Sequence, residues 1–283
     1  MKKIKSIALF YNPGRENAVA YTAELEKCLS GSVCVRKICV NSGKKDGNGL
    51  IEPADVALAV GGDGTVLHVA RRAVSPGIPV LGINAGSLGF LSCITQEDFL
   101  ASLPDFLDGK FNLTERMLLA VSVRRSGKTV FGPMPALNDC IIRSSEPRAF
   151  GLKARRNGTL LTKYFGDGLI IAAPSGSTAY SLAAYGPIAS PELSVFILTP
   201  ICPHALTQRP LILPADKTVS VEMLGTKSGR QEFTVSVDGQ ENFRLEKGDI
   251  VEVGEYPDRL KLLVPDSYDY FAALRTKLRW GER

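Results

Sequence analysis

The run Val56-Ala57-Leu58-Ala59-Val60-Gly61-Gly62-Asp63-Gly64-Thr65 concentrates residues able to do chemistry. Its apolar half reads as a short strand covered on both faces. That strand delivers three glycines and one acid to the start of a helix. Glycine lets a backbone turn sharply and approach a ligand closely. A helix start offers unpaired N–H groups and a positive dipole end, which seat phosphate. An acid there would repel phosphate, so Asp63 needs a task of its own, either taking a proton from a hydroxyl or holding a metal ion. The bland alternative is a tight strand-to-helix turn with Asp63 as the N-cap. No stretch of the chain matches Gly-x-x-x-x-Gly-Lys-Ser/Thr or Gly-x-Gly-x-x-Gly, so ordinary P-loop and simple dehydrogenase readings lose ground.

Other candidates lie downstream. Asn138 and Asp139 present an amide and a carboxylate together, which suits a ribose diol, an adenine edge or a buried turn. The segment Ser175-Gly176-Ser177-Thr178-Ala179-Tyr180 is dense in hydroxyls at a helix start, where it can cap its own helix, cradle a dinucleotide, or both. Asp167, between Gly166 and Gly168, is hard to explain as core and easier as a ribose or amide partner. Phe90 can be core or can cover a base. His68 lies one helical turn beyond Gly64 and could reach a ligand phosphate; alone it reads as an exposed helix residue. His204, between Pro203 and Ala205, reads as structural.

These residues need a scaffold. Up to about residue 112, strand and helix signals alternate: Ile7–Tyr11, a helix over Asn17–Leu29 carried by Val19, Leu25, Cys28 and Leu29, Val33–Val40, Val56–Val60, a helix over Thr65–Val74, and Ile78–Ile83. This is the rhythm of a parallel, Rossmann-like α/β sheet. Beyond it strand-like runs predominate, interrupted by a helical stretch at Ser177–Ala184 and closed by a helix over Tyr268–Arg279. Asn157-Gly158 between two runs signals a hairpin. The expected organisation is an α/β domain over 1–112, a β-rich domain over 113–267, and a terminal helix over 268–283 packing back on the first domain.

Bulk properties exclude some classes. Net charge is +5 with the charges interspersed, so nucleic acid binding is not implied. Six scattered cysteines, without a Cys-x-x-Cys pair, and two histidines argue against structural zinc or a disulfide framework; buried reduced thiols in the cytoplasm are expected. No window approaches the ~20 apolar residues of a membrane span.

Gly61–Thr65 resembles the signature shared by NAD kinases, diacylglycerol and sphingosine kinases, and phosphofructokinases. The further segments resemble those of the NAD kinase family, in its order: Leu81–Leu91, Ala136–Asp139, Gly166–Ile170, Pro174–Ser181, Thr199–Leu206, Arg209-Pro210, Asp238-Gly239-Gln240 and Asp269–Gly281. The resemblance implies that Asp63 is general base for the 2′-hydroxyl of NAD, with ATP as donor and Mg²⁺ accompanying it. An unperturbed aspartate has a pKa of about 3.9, so such an acid acts only as the hydroxyl acidifies in the transition state, or by positioning it. The resemblance assigns Gly61, Gly62, Gly64 and Thr65 to the donor phosphates. It assigns Asp63, Gly64, His68, Phe90, Asn138, Asp139, Phe165, Asp167, Ser175, Thr178, Ala179, Tyr180, Ala183 and Gln240 to NAD. No metal cage of protein side chains is visible. It further implies a homodimer or homotetramer. Departures from the family are Asp139 for its usual Glu, Phe165 where many relatives have Arg, and Ala183 and Tyr185 where Ser and Gly are common. The competing readings are another alcohol kinase of the Gly-Gly-Asp-Gly type, chiefly a lipid kinase, and a nucleotide-binding protein without catalysis.

Overall fold

A computed structural model describes residues 2–40, 53–85, 89–146, 148–225, 232–279 and 281. Gly86, Ser87 and Leu88 of the Leu81–Leu91 segment, and Trp280, lie outside the described residues. The chain divides into two compact units, 1–115 with 260–283, and 116–259.

The first unit contains β1 (Ser6–Tyr11), α1 (Glu16–Leu29), β2 (Cys34–Cys39), β3 (Val56–Gly61), α2 (Asp63–Ala73), β4 (Val80–Asn84), β5 (Ser92–Thr95), α3 (Gln96–Ala101), α4 (Leu103–Leu107) and β6 (Asn112–Arg116). The sheet runs β2-β1-β3-β4, then Leu260–Val264, then β6, with β5 also on β4. The β1, β2, β3 and β4 pairings are parallel. The chain leaves β1 for one side of the sheet and β3 for the other, so its connections diverge between these two strands. In open parallel sheets ligands sit at the carboxyl ends of strands at such a divergence, and here those ends are Tyr11-Asn12 and Gly61-Gly62. The β3 strand is buried at every residue, as a continuous apolar run requires. Its core includes Leu9, Leu25, Leu58, Leu81, Phe99, Phe106 and Leu263.

Two expectations need correction here. Val19 and Cys28 are exposed; the buried face of α1 is Ala18, Tyr21, Thr22, Leu25 and Leu29, at helical spacing about 100° away from Val19. Leu260–Val264 follows a β-rich run in sequence, yet Leu262 pairs with Val80 in the first sheet. Period-two apolar spacing tells a strand's face and not its partner.

The second unit packs two six-stranded sheets, counted among the described residues. Its strands are β7 (Leu119–Arg125), β8 (Lys128–Ala136), β9 (Asp139–Ser144), β10 (Phe150–Arg156), β11 (Thr159–Gly166), β12 (Gly168–Ala172), β13 (Val195–Ile201), β14 (Leu211–Pro214), β15 (Val219–Gly225), β16 (Phe233–Val237), β17 (Glu241–Leu245) and β18 (Ile250–Glu255). One sheet runs β11-β10-β15-β18-β7-β8 and the other β14-β13-β12-β9-β16-β17. Alternating burial along β7, β10 and β15 turns Val121, Leu152 and Val221 into a core shared with Phe196 and Phe233. Asn157 and Gly158 both take left-handed backbone angles, and Arg156 pairs with Thr159, so the expected hairpin forms.

The outer face of the second sheet carries a smaller cluster of Ile141, Ile170, Ala172, Ala189 and Ile197. The helix expected over Ser177–Ala184 is instead a 3₁₀ turn, Pro174–Thr178, and one helical turn, α5 (Tyr180–Ala183). Hydroxyls there bond to the backbone out of helical register: Ser175 Oγ donates to Leu137 O, and Ala189 N donates to Ser177 Oγ at 3.1 Å. The terminal helix spans Tyr270–Leu278, capped by Asp269, which accepts the Phe271 N–H at 2.8 Å. All six cysteines are free; Cys93 and Cys140 are buried, while Cys28, Cys34 and Cys202 are exposed against the expectation of buried thiols. Among the described residues no helix is long and apolar enough to cross a membrane.

Candidate active site

In the first unit the glycine run bends β3 into α2. A Cβ at Gly61 would meet Thr65 Oγ1 at 2.3 Å, so the turn closes only over glycine. Gly62, extended, is the N-cap and offers no side-chain cap; the helix start leaves its donors to other partners. Asp63 is therefore not the N-cap but the first helical residue, and its carboxylate faces the chain at 90–92. Oδ2 accepts the Phe90 N–H at 2.9 Å. Oδ1 accepts the N–H groups of Leu91 and Ser92 at 3.1 and 3.0 Å and the Ser92 hydroxyl at 2.9 Å. Asn84 Nδ2 donates to that same hydroxyl at 3.0 Å. Oδ2 keeps an acceptor position, because a carboxylate oxygen has two lone pairs and this one receives one bond. Gly82 and Gly89 permit the approach: a Cβ at Gly89 would stand 1.8 Å from Asp63 Oδ1.

Thr65 is buried and His68 half-buried on α2. Phe90 packs against Tyr270 of the terminal helix, ring centroids 6.4 Å apart, with Lys277 Nζ 5.1 Å above its ring. Arg15, just ahead of α1, brings its guanidinium to 3.9 Å from where a Gly62 Cβ would be, and has no side-chain partner among the described residues.

In the second unit a cavity of about 420 Å³ opens on the outer face of β9, β16 and β17. Four expected site residues line it: Asn138, Asp139, Ala179 and Tyr180. Asp238 also lines it and organises one end. Its carboxylate accepts the N–H groups of Leu137, Asn138 and Asp139 at 3.0, 2.8 and 3.1 Å. Asp238 and Gly239 take left-handed angles in the β16–β17 turn, which turns that carboxylate back onto residues 137–139. A Cβ at Gly176 would lie 2.0 Å from Asn138 O, so the glycine lets the 3₁₀ turn seat against the Asn138 backbone. Asn138 Oδ1 is buried without a hydrogen-bond partner, an acceptor awaiting a donor. Burial first, and then the charge of Asp238, pushes the Asp139 carboxyl up to about 7. The same causes, burial first and then Asp139 and Asp238, raise the Cys140 thiol.

Six expected residues do not line this cavity. Phe165 is half-exposed and edge-on to His204, ring centroids 5.0 Å apart. Asp167 and Ala183 are exposed, and Gln240 sits at the β16–β17 turn. The glycines around Asp167 serve packing: added Cβ atoms would stand 2.8 Å from Ile201 O at Gly166 and 2.4 Å from Ile142 O at Gly168. Ser175 and Thr178 spend their hydroxyls on backbone oxygens of Leu137 and of Ser175 respectively. Sequence reasoning missed Arg15, Ser92, Arg143, Ser236 and Asn242, and quoted Asp238 without giving it a place. For Arg143 a signal existed: Asp139, Ile141 and Arg143 alternate onto one face of β9. Ser236 stands opposite Ile141, and Asn242 opposite Ser236, which only the register reveals.

A glycine-rich strand-turn-helix carrying an acid in one unit, and a polar cavity on a β-sheet in the other, are parts of the kind that nucleotide-handling enzymes use. Solved structures share the fold. Yeast NADH kinase, complexed with NADH, superposes with a TM-score of 0.85 at 24% identity, covering 99% of this chain and 89% of that one. An NAD kinase from Archaeoglobus fulgidus, in complex with ATP, gives 0.74 at 24% identity, covering 96% and 98%. Residues 48–111 match the ATP-NAD kinase N-terminal domain and residues 137–263 the ATP-NAD kinase C-terminal domain. The NAD kinase of Geobacter sulfurreducens is 44% identical over 231 residues, 81% of this chain and 80% of that protein. That of Citrifermentans bemidjiense is 38% identical over 295 residues, the full length of both. The chain belongs to the NAD kinase family, and it is a kinase that phosphorylates NAD. This decides against the lipid-kinase and non-catalytic readings.

Proposed function

We propose that the enzyme transfers the γ-phosphoryl group of ATP to the 2′-hydroxyl of the adenosine ribose of NAD, giving NADP and ADP, with Asp63 as the acid that receives the hydroxyl proton. The observation that carries this reading is the fixing of the Asp63 carboxylate by four hydrogen bonds, with an acceptor position left on Oδ2, at the head of a glycine-rich helix start. A carboxylate so held needs no reorganisation when the hydroxyl arrives. As the bond from the 2′-oxygen to the γ-phosphorus forms, that between the γ-phosphorus and the β-bridging oxygen breaks, the proton passes to Asp63, and ADP leaves. Such a transfer asks chiefly for alignment and charge stabilisation.

For the donor phosphates the reading uses Gly61, Gly62, Gly64 and Thr65, and adds Arg15 because its guanidinium stands beside Gly62 with no partner among the described residues. For NAD it uses Asn138, Asp139, Ala179 and Tyr180, which line the cavity, and adds Asp238. His68, Phe90, Phe165, Asp167, Ser175, Thr178, Ala183 and Gln240 remain in the proposed NAD set on the strength of the family's motifs. A divalent cation, Mg²⁺ by preference, would neutralise phosphate charge when bound. Among the described residues no group of three or more His, Cys, Asp or Glu could hold one, which favours a cation carried by the donor's phosphates.

The same reading makes the protein a cytoplasmic homodimer or homotetramer. Six free thiols suit a reducing compartment. Exposed large apolar side chains such as Tyr185 and Leu206 suit subunit contacts. Gel filtration tests the assembly. The reaction is tested by incubating the pure protein with ATP, Mg²⁺ and NAD and following NADP with an NADP-specific dehydrogenase. NADP should accumulate; its absence with any nucleoside triphosphate would sink the reading.

A further inference from the structure

The cavity on β9 holds two carboxyl groups in unlike surroundings. Asp238 sits in a cradle of three backbone N–H groups, a setting suited to an anion. Asp139 is 4% exposed, lines the cavity, and its carboxyl has no hydrogen-bond or ionic partner among the described residues. An unpartnered buried carboxyl is costly to ionise and responds strongly to any charge brought beside it.

The groups around Asp139 are few. From its own strand, Arg143 lines the same cavity four residues along, about 13 Å away at strand rise. Cys140 points to the opposite face, into the core, and its thiol titrates well above the usual range because of burial, Asp139 and Asp238. The neighbouring β12 strand, Gly168–Ala172, contributes no titratable side chain. Past the end of β16 stands Asp238, from β17 comes the neutral Asn242, and α5 contributes Tyr180. Burial and Asp238 push the Asp139 carboxyl up to about 7, so its charge changes in the neutral range.

Oxidised and reduced dinucleotide share adenine, both riboses and the pyrophosphate. They differ by a hydride and by the positive charge that only the oxidised nicotinamide ring carries. A binding site can weigh that charge only through groups that feel it. The cavity is bipolar along β9, acidic at Asp139 and Asp238 and basic at Arg143. Oxidised NAD is bipolar too, with a cationic ring and an anionic pyrophosphate.

We propose that Asp139 sets the enzyme's choice between the oxidised and the reduced dinucleotide: ionised beside Asp238 it favours the cationic nicotinamide of NAD⁺, and protonated it lets that preference fall away. This rests on the reading of the cavity as the seat of NAD.

The test is calorimetric. Dissociation constants for NAD⁺, NADH and ADP-ribose, which lacks the nicotinamide, are measured on the wild type and on Asp139→Asn between about pH 6 and about pH 8. In the wild type the preference for NAD⁺ over NADH should rise about 3- to 10-fold across this range, while ADP-ribose affinity stays level. In Asp139→Asn the preference should stay flat at its low-pH value. A flat wild-type ratio, which needs no variant, overturns the proposal, and so does an equal rise in the variant. Equal weakening of all three ligands in Asp139→Asn overturns it while leaving the cavity as the NAD seat. Unchanged binding of all three at every pH removes the seat as well.

Discussion

Ser92 gives Asp63 both its N–H and its hydroxyl, at 3.0 and 2.9 Å, on a single carboxylate oxygen. The acid assigned to the chemistry is thus also a fastener between α2 and the chain leading into β5. Asp63→Asn should cut turnover by about 10²- to 10⁴-fold. Because an amide nitrogen cannot accept from N–H donors, it should also lower stability by about 1–3 kcal/mol. NAD affinity should be largely kept. NADP formation, chemical unfolding and calorimetry read the three effects, and full activity would refute the assigned role.

Two glycines should separate the chemistry from the binding. Gly89→Ala would put a methyl 1.8 Å from Asp63 Oδ1 and 2.2 Å from Ser92 Oγ, displacing the carboxylate. Gly176→Ala would strike Asn138 O at 2.0 Å and shift the cavity wall. The first should lower kcat with little change in NAD affinity, and the second should weaken NAD binding about 10-fold or more. Steady-state kinetics with direct NAD titration distinguishes them; the reverse pattern would contradict the site assignments.

Stability should carry the signature of Asp139. Its folded carboxyl is raised from 3.8 to about 7, so folding favours the protonated form. The stabilisation is complete below the unfolded value and is lost as pH rises through about 7. Asp139→Asn lacks this titration. The unfolding free energy of the variant relative to the wild type should therefore climb between about pH 4 and about pH 7.5, by about 4 kcal/mol at most. Urea unfolding of the unliganded proteins across that window checks it, and a level difference would show that Asp139 titrates normally.

Chelation should stop catalysis without loosening the fold. The proposed cation arrives with ATP, and an ion absent from the unliganded protein supplies it no folding energy. EDTA should abolish NADP formation and leave the melting temperature of the unliganded enzyme unchanged. A fall in melting temperature would reveal a structural metal.

Arg15→Ala should raise KM for ATP about 10-fold and leave KM for NAD near its original value, the loss expected for one charge-assisted phosphate contact. Arg15→Lys should recover part of it. A change confined to KM for NAD would move Arg15 out of the donor site.

The sequence by itself determined what is local. The apolar run Val56–Val60 and the glycines after it specify a strand turning into a helix, because backbone freedom at Gly61 is a property of that residue alone. Asn157-Gly158 specifies its hairpin for the same reason. The ordered motifs from Gly61 to Gln240 point to the NAD kinase family, and Asn138, Asp139, Ala179 and Tyr180, legible as site candidates, line one cavity. Tertiary structure decided whatever depends on register or on distant partners. It placed Arg143, Ser236 and Asn242 in the cavity, gave Asp63 its donors at Phe90, Leu91 and Ser92, and drew Leu260–Val264 into the first sheet. It also raised the Asp139 carboxyl, because that shift depends on burial and on Asp238, about a hundred residues away in the chain, and neither is written in the residue itself.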